Sequence, residues 1–184
     1  NTESNEVTLI TRPRRFGKTL GMSMLASFFA IRRDSSELFR GLKISQKEEL
    51  CQKWMNQYPV LFVTFKDVDG LDFQSAKEML RIQIADRCNE YLCLISSEKV
   101  NENDKAIFRQ LADVVKGDVS DAMLKTGIAL IMRMLQDYYE KPVILLLDEY
   151  DVPLAKASAH GYYAEMLEVM RAMISTALKD NPSL

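Results

Sequence analysis

Gly17, Lys18 and Thr19 stand in the order that a bound polyphosphate would need. The glycine lets the backbone pass close to phosphate oxygens, and the lysine carries a point charge to the β- and γ-phosphates of ATP. The threonine hydroxyl is suited to Mg2+, and a helix opening at this point adds unpaired N–H groups and a favourable dipole. The flanks supply that setting: Val7 to Thr11 is rich in strand formers, and Leu20 to Phe29 suits a helix. The nucleotide-binding set is therefore Arg12, Pro13, Arg14, Arg15, Phe16, Gly17, Lys18, Thr19 and Leu20, with Lys18 also catalytic and Thr19 a metal ligand.

The loop departs from the common G-x-x-x-x-G-K-[ST] form. Arg12 occupies the position of the first glycine, and Pro13 has no N–H to offer and biases Arg12 toward an extended backbone. Arg14 and Arg15 can replace lost backbone donors with side-chain charge, either on a phosphate or against Asp148, Glu149 or Asp151. The alternative is that both are solvated surface charge.

A second run, Lys141-Pro-Val-Ile-Leu-Leu-Leu-Asp-Glu149, places two adjacent carboxylates after a continuous apolar stretch. Such a stretch predicts a strand buried on both faces, as in parallel sheets, where ligands lie beyond the C-terminal strand ends. Asp148 is then the carboxylate for Mg2+, and Glu149 the base that orients and deprotonates an attacking water. Either run alone has an ordinary explanation. Together they point to a nucleoside triphosphate.

The elements that must hold these groups are mostly helical. Ser45-Gln-Lys-Glu48 and Ser75-Ala-Lys-Glu78 have the form of capping boxes, the first opening a short helix through Leu50 and Trp54. Tyr58-Pro59 leads into an apolar strand over 60–65. Ala76, Leu80, Ile84, Cys88, Tyr91 and Ile95 repeat at helical spacing, as do Leu124, Ile128, Ile131, Leu135 and Tyr138. Another helix is expected around 104–115, stopping at Gly117, and a last one runs through Tyr163, Met166, Met170, Ile174 and Ala177. The 184 residues suit one domain, and a net charge of −2 shows no broad nucleic-acid or membrane footprint. No stretch is long and apolar enough for a membrane helix, so a cytoplasmic protein is expected. Cys51, Cys88 and Cys93 lack metal-site spacing and read as reduced thiols, while His160 reads as a helix-terminal residue.

Thr11-Arg-Pro-Arg-Arg-Phe-Gly-Lys-Thr19, Tyr58-Pro-Val-Leu-Phe62 and Leu147-Asp-Glu-Tyr-Asp-Val-Pro-Leu154 resemble the AAA-ATPase-like family of mainly bacterial P-loop proteins, as do Gly161-Tyr-Tyr163 and Leu178-Lys-Asp-Asn181. The resemblance implies an α/β, three-layer P-loop NTPase of the additional-strand, AAA-like class, with a mostly parallel sheet and a helical insertion. Lys18, Thr19, Asp148 and Glu149 would keep the roles above. Longer relatives carry a C-terminal nuclease-like domain of the PD-(D/E)XK type, to which nothing here corresponds. In that class a further strand, bearing a polar sensor residue, lies between the phosphate-loop strand and the acidic strand. It would follow the helix ending near Leu178, so the sheet is expected to be incomplete over 1–184. Two functional classes stay open. One is an ATPase that drives or gates an attached effector domain, favoured by Glu149. The other is a nucleotide-gated binding module with little turnover, favoured by the altered loop and the missing sensor strand.

Overall fold

Two parallel strands organise the chain. The structure is a computed structural model that describes residues 7–10, 16–115, 119–179, 181 and 183. Helices α1 (Lys18–Phe29), α2 (Ser36–Phe39) and α3 (Glu48–Trp54) precede strand β1 (Val60–Thr64). Parallel strands cannot be joined by a tight turn. Three helices make the crossover here: α4 (Phe73–Glu90), α5 (Glu102–Ala112) and α6 (Asp121–Tyr139). Strand β2 (Ile144–Asp148) follows, then α7 (Val152–His160) and α8 (Tyr163–Leu178). The strands pair from Val60 opposite Ile144 to Thr64 opposite Asp148.

Side chains alternate across a strand, so the two faces of the sheet divide cleanly. Leu61, Val63, Phe65, Leu145 and Leu147 meet a helical core that includes Leu80, Ile84, Phe108, Ile131 and Met170. Val60, Phe62, Thr64, Ile144, Leu146 and Asp148 belong to the opposite face. Helix α1 packs on both strands rather than on the crossover helices, and so covers that second face.

The long helices follow their predicted stripes. Leu124, Ile128, Ile131 and Leu135 of α6 are buried, as are Ala76, Leu80, Ile84 and Cys88 of α4. Gly127 lets these two helices close up: a Cβ there would stand 3.0 Å from Cγ2 of Ile84. Burial also pushes the Cys88 thiol up to about 12. Helix α5 starts at Glu102, capped by Asn101, and ends at Ala112, while Gly117 lies outside the described residues.

Local signals failed where a competing partner stood nearby. Ser45 lies in a 3-10 turn, Lys43–Gln46, donates to the Leu42 carbonyl, and does not cap α3. Ser75 is inside α4, which Asp72 caps by accepting the Ser75 N–H at 2.8 Å. The chain reaches Asp72 extended (φ −138°, ψ 169°), the backbone an N-cap needs.

Val7 to Ile10 do not form the expected strand; all four are exposed and without regular structure, and Thr11 lies outside the described residues. Strand propensity acts only where a neighbouring strand completes the hydrogen bonds. Strand β2 likewise is not buried throughout, because Ile144, Leu145 and Leu147 remain half-buried. Its open edge explains this. The Ile144 N–H donates to Pro59 on the β1 side (2.9 Å), whereas the Val143 N–H donates to Ser183 (2.7 Å). Successive peptide groups of a strand point to opposite edges, so those of Leu145 and Leu147 lie on the Ser183 side. No strand pairs there among the described residues. The fold is α/β and mostly helical, with a two-stranded parallel sheet.

Candidate functional site

Helix α1 opens without the usual protection. Gly17 precedes it in the left-handed region (φ 70°), where a Cβ would be strained even though open space surrounds it. Among the described residues no side chain caps the helix, and no acid occupies its first turn. Lys18 is half-buried and forms no ion pair with another described residue. An uncapped helix start that carries a lysine suits an anion. Phe16, Thr19 and Leu20 are exposed around it. Arg12, Pro13, Arg14 and Arg15 lie outside the described residues.

Asp148 closes β2 on the face that α1 covers. It is 2% exposed, and neither carboxylate oxygen has a hydrogen-bond partner among the described residues. Its main-chain carbonyl accepts the Phe65 N–H at 3.1 Å. An ionised carboxylate buried without a partner is unfavourable unless a cation joins it. The end of α1 meets the start of β1, where the Tyr58 N–H donates to Phe29. The 12 residues of α1 span about 18 Å, close to the length of a five-residue strand. Its first turn therefore lies toward the C-terminal strand ends, where Asp148 stands.

Glu149 follows in a left-handed backbone (φ 54°), uncommon for a residue with a side chain. Its carbonyl accepts the Val152 N–H at 3.1 Å, which turns the chain into α7. Two contacts tie α7 and its exit to the loop after β1. Lys156 pairs with Asp69 at 2.8 Å, and the Tyr162 hydroxyl donates to Gly70 at 2.7 Å. The Lys156 hydrogen bond holds the Asp69 carboxyl below its ordinary value, and the same bond raises Lys156. His160 ends α7 and stacks on Tyr162 (interplanar 8°). The turn at Glu149 and this brace escaped sequence reasoning; Asp69-Gly70, a turn dipeptide, was the available signal for the brace. A separate apolar groove of about 330 Å³, lined by Tyr150, Leu154, Leu167, Met170, Arg171, Ile174 and Ser175, takes in none of the candidate site residues.

Among the described residues no three His, Cys, Asp or Glu side chains converge. Mg2+ in nucleotide sites needs no such cage, since one or two protein oxygens suffice beside phosphate and water. Thr19 and Asp148 fit that donor set.

A family model described as a predicted AAA-ATPase matches residues 2–184. The chain belongs to the AAA-ATPase-like family. An uncharacterized protein in the vnfD 5' region of Azotobacter chroococcum mcd 1 is 28% identical to this AAA-ATPase-like chain over 150 residues. That match takes in 79% of this chain and 22% of the relative, so the chain spans about a fifth of the relative's length. No solved structure matches the chain. Among the described residues no helix is long and apolar enough to cross a membrane.

Asp148 yields a direct test in this AAA-ATPase-like domain. Without a cation, Asp148→Asn is expected to raise the melting temperature by about 3 to 6 °C, because a neutral amide replaces an unpaired buried charge. The same variant should raise the Mg2+ requirement for ATP binding. Thermal melts in chelator and in Mg2+ read both effects. Equal melting of the two proteins in chelator would show that Asp148 carries no uncompensated charge without a cation.

Proposed function

We propose that the chain is a P-loop ATPase-like domain that binds and hydrolyses Mg-ATP in the cytoplasm and thereby drives or gates an attached effector domain. The supporting observation is Asp148, a buried carboxylate on the sheet face that α1 covers, without a partner among the described residues. The uncapped, lysine-bearing start of that helix complements it. Thr19 and Asp148 would hold Mg2+, which neutralises phosphate charge when bound. Lys18 would contact the β- and γ-phosphates, Gly17 would let the backbone approach them, and Glu149 would take the proton of the attacking water. Residues 12–20 would wrap the triphosphate.

The three-layer, additional-strand architecture is part of this proposal. The hydrogen bond from the Val143 N–H to the Ser183 carbonyl supports it, because it brings the chain after α8 to the β2 edge away from β1. An attached effector is in keeping with the greater length of the Azotobacter relative. A nucleotide-gated module with little turnover is the second reading, and the Arg12-Pro13 substitution in the loop favours it.

ATP titration at several salt concentrations tests the binding half. The wild type should saturate. Changing Arg14 and Arg15 together to alanine should weaken affinity and flatten its salt dependence, since the lost contacts are ionic. Unchanged affinity and salt slope in that variant would reduce both arginines to solvated surface charge. A wild type that fails to bind ATP would remove the proposal.

A further inference from the structure

The far end of α1 is anchored as completely as its start is bare. The last carbonyls of a helix have no internal partner and must find one elsewhere. Here Ser27 accepts from the Ser35 hydroxyl (2.6 Å) and Phe28 from the Asn56 N–H (2.8 Å). Phe29 accepts from the Tyr58 N–H (3.0 Å), and Ala30 from Nδ2 of Asn56 (3.0 Å). The other Nδ2 hydrogen goes to the Arg33 carbonyl, and Oδ1 of Asn56 accepts the Ser35 N–H at 3.2 Å. One side chain thus joins the helix end, the turn after it and the approach to β1. Ser35, its partner, is 1% exposed.

Residue 56 must meet three demands at once. Its backbone is left-handed (φ 56°), which asparagine tolerates better than most residues. Its side chain must donate twice and accept as well, a combination that a primary amide provides for these partners. Aspartate would satisfy the backbone but present an anion to the two carbonyls that the amide serves, beside the negative end of a helix. Glycine would satisfy the backbone and none of the side-chain bonds.

Residues 56–58 also lead directly into β1, whose last residue, Thr64, is paired with Asp148. The link from Asn56 to β1 and across to β2 connects the end of α1 to the acidic strand. The start of α1 carries Gly17, Lys18 and Thr19. We infer that Asn56 is a positioning residue that sets the phosphate-loop helix against Asp148, acting from the opposite end of α1. This inference rests on the nucleotide reading above. Triphosphate contacts made within the first turn of α1 do not depend on where the helix lies over the sheet. Mg2+ shared between Thr19 and Asp148 does, because its two protein ligands sit on elements joined through Asn56.

The test compares ATP binding in chelator with ATP binding in Mg2+, by calorimetry on the wild type, Asn56→Asp and Asn56→Gly. All are measured below their melting temperatures, with far-ultraviolet circular dichroism confirming the native helix content. Mg2+ should tighten ATP binding to the wild type. In both variants that tightening should shrink by about tenfold, while affinity in chelator changes by less than about twofold. If Asn56→Asp does not fold, Asn56→Gly and Ser35→Ala carry the comparison. Folded variants that keep the wild-type tightening by Mg2+ would overturn the inference and leave the nucleotide site intact. A wild type that binds no ATP under either condition removes the site and the inference together.

Discussion

Replacing Glu149 with glutamine is expected to leave Mg-ATP binding near the wild-type level while ATP hydrolysis falls by about two orders of magnitude or more. The amide keeps the shape and polarity of the carboxyl but cannot take a proton from water. Glu149 sits on a left-handed turn between β2 and α7, a strained placement of the kind that clusters at functional sites. Asp69, Gly70, Lys156 and Tyr162 hold the following helix and so keep the turn in place. Phosphate release under single-turnover conditions, beside an ATP titration, separates the two effects. Wild-type turnover in Glu149→Gln would remove this carboxylate from the proton transfer. Glu149→Gly, which relieves the left-handed backbone, should lose hydrolysis to the same degree while the fold persists.

Lys18→Ala should act one step earlier and abolish measurable ATP binding. The lysine stands at the first turn of α1, where no acid or side-chain cap among the described residues offsets the positive helix end. In the folded chain it has no ion pair with a described residue, so no described ion pair is lost when it is truncated. Removing a charged donor shared by two phosphates costs roughly 3 kcal/mol, or more than about a hundredfold in affinity. Stability should be unchanged or slightly higher, because a cation at a helix N-terminus opposes the dipole. Equal affinities of the wild type and Lys18→Ala by calorimetry would exclude the loop from phosphate binding.

Both effects bear on the choice between a working ATPase and a nucleotide-gated module. Loss of turnover in Glu149→Gln requires that the wild type has turnover to lose. A protein that binds ATP through Lys18 but releases no phosphate, with or without DNA present, would instead be the gated module that the Arg12-Pro13 loop suggests.

What could be read from the sequence was what depends on short separations along the chain. The stripes Leu124–Leu135 and Ala76–Cys88 became buried helix faces because helical periodicity is local. Gly17-Lys18-Thr19 does begin a helix, and the apolar run before Asp148 does form a strand. Tertiary structure decided everything that needed a distant partner. Val7 to Ile10 has strand composition yet no described strand beside it, so its propensity counts for nothing. Ser45 and Ser75 match capping boxes, but the Leu42 carbonyl and the Asp72 carboxylate claimed them first. The bare carboxylate of Asp148, the left-handed Glu149 and the bonds of Asn56 to residues 26 and 23 positions earlier follow from how α1 crosses the sheet. A residue's type limits which bonds it can make; only the packing of helix against strand determines which partners come within reach.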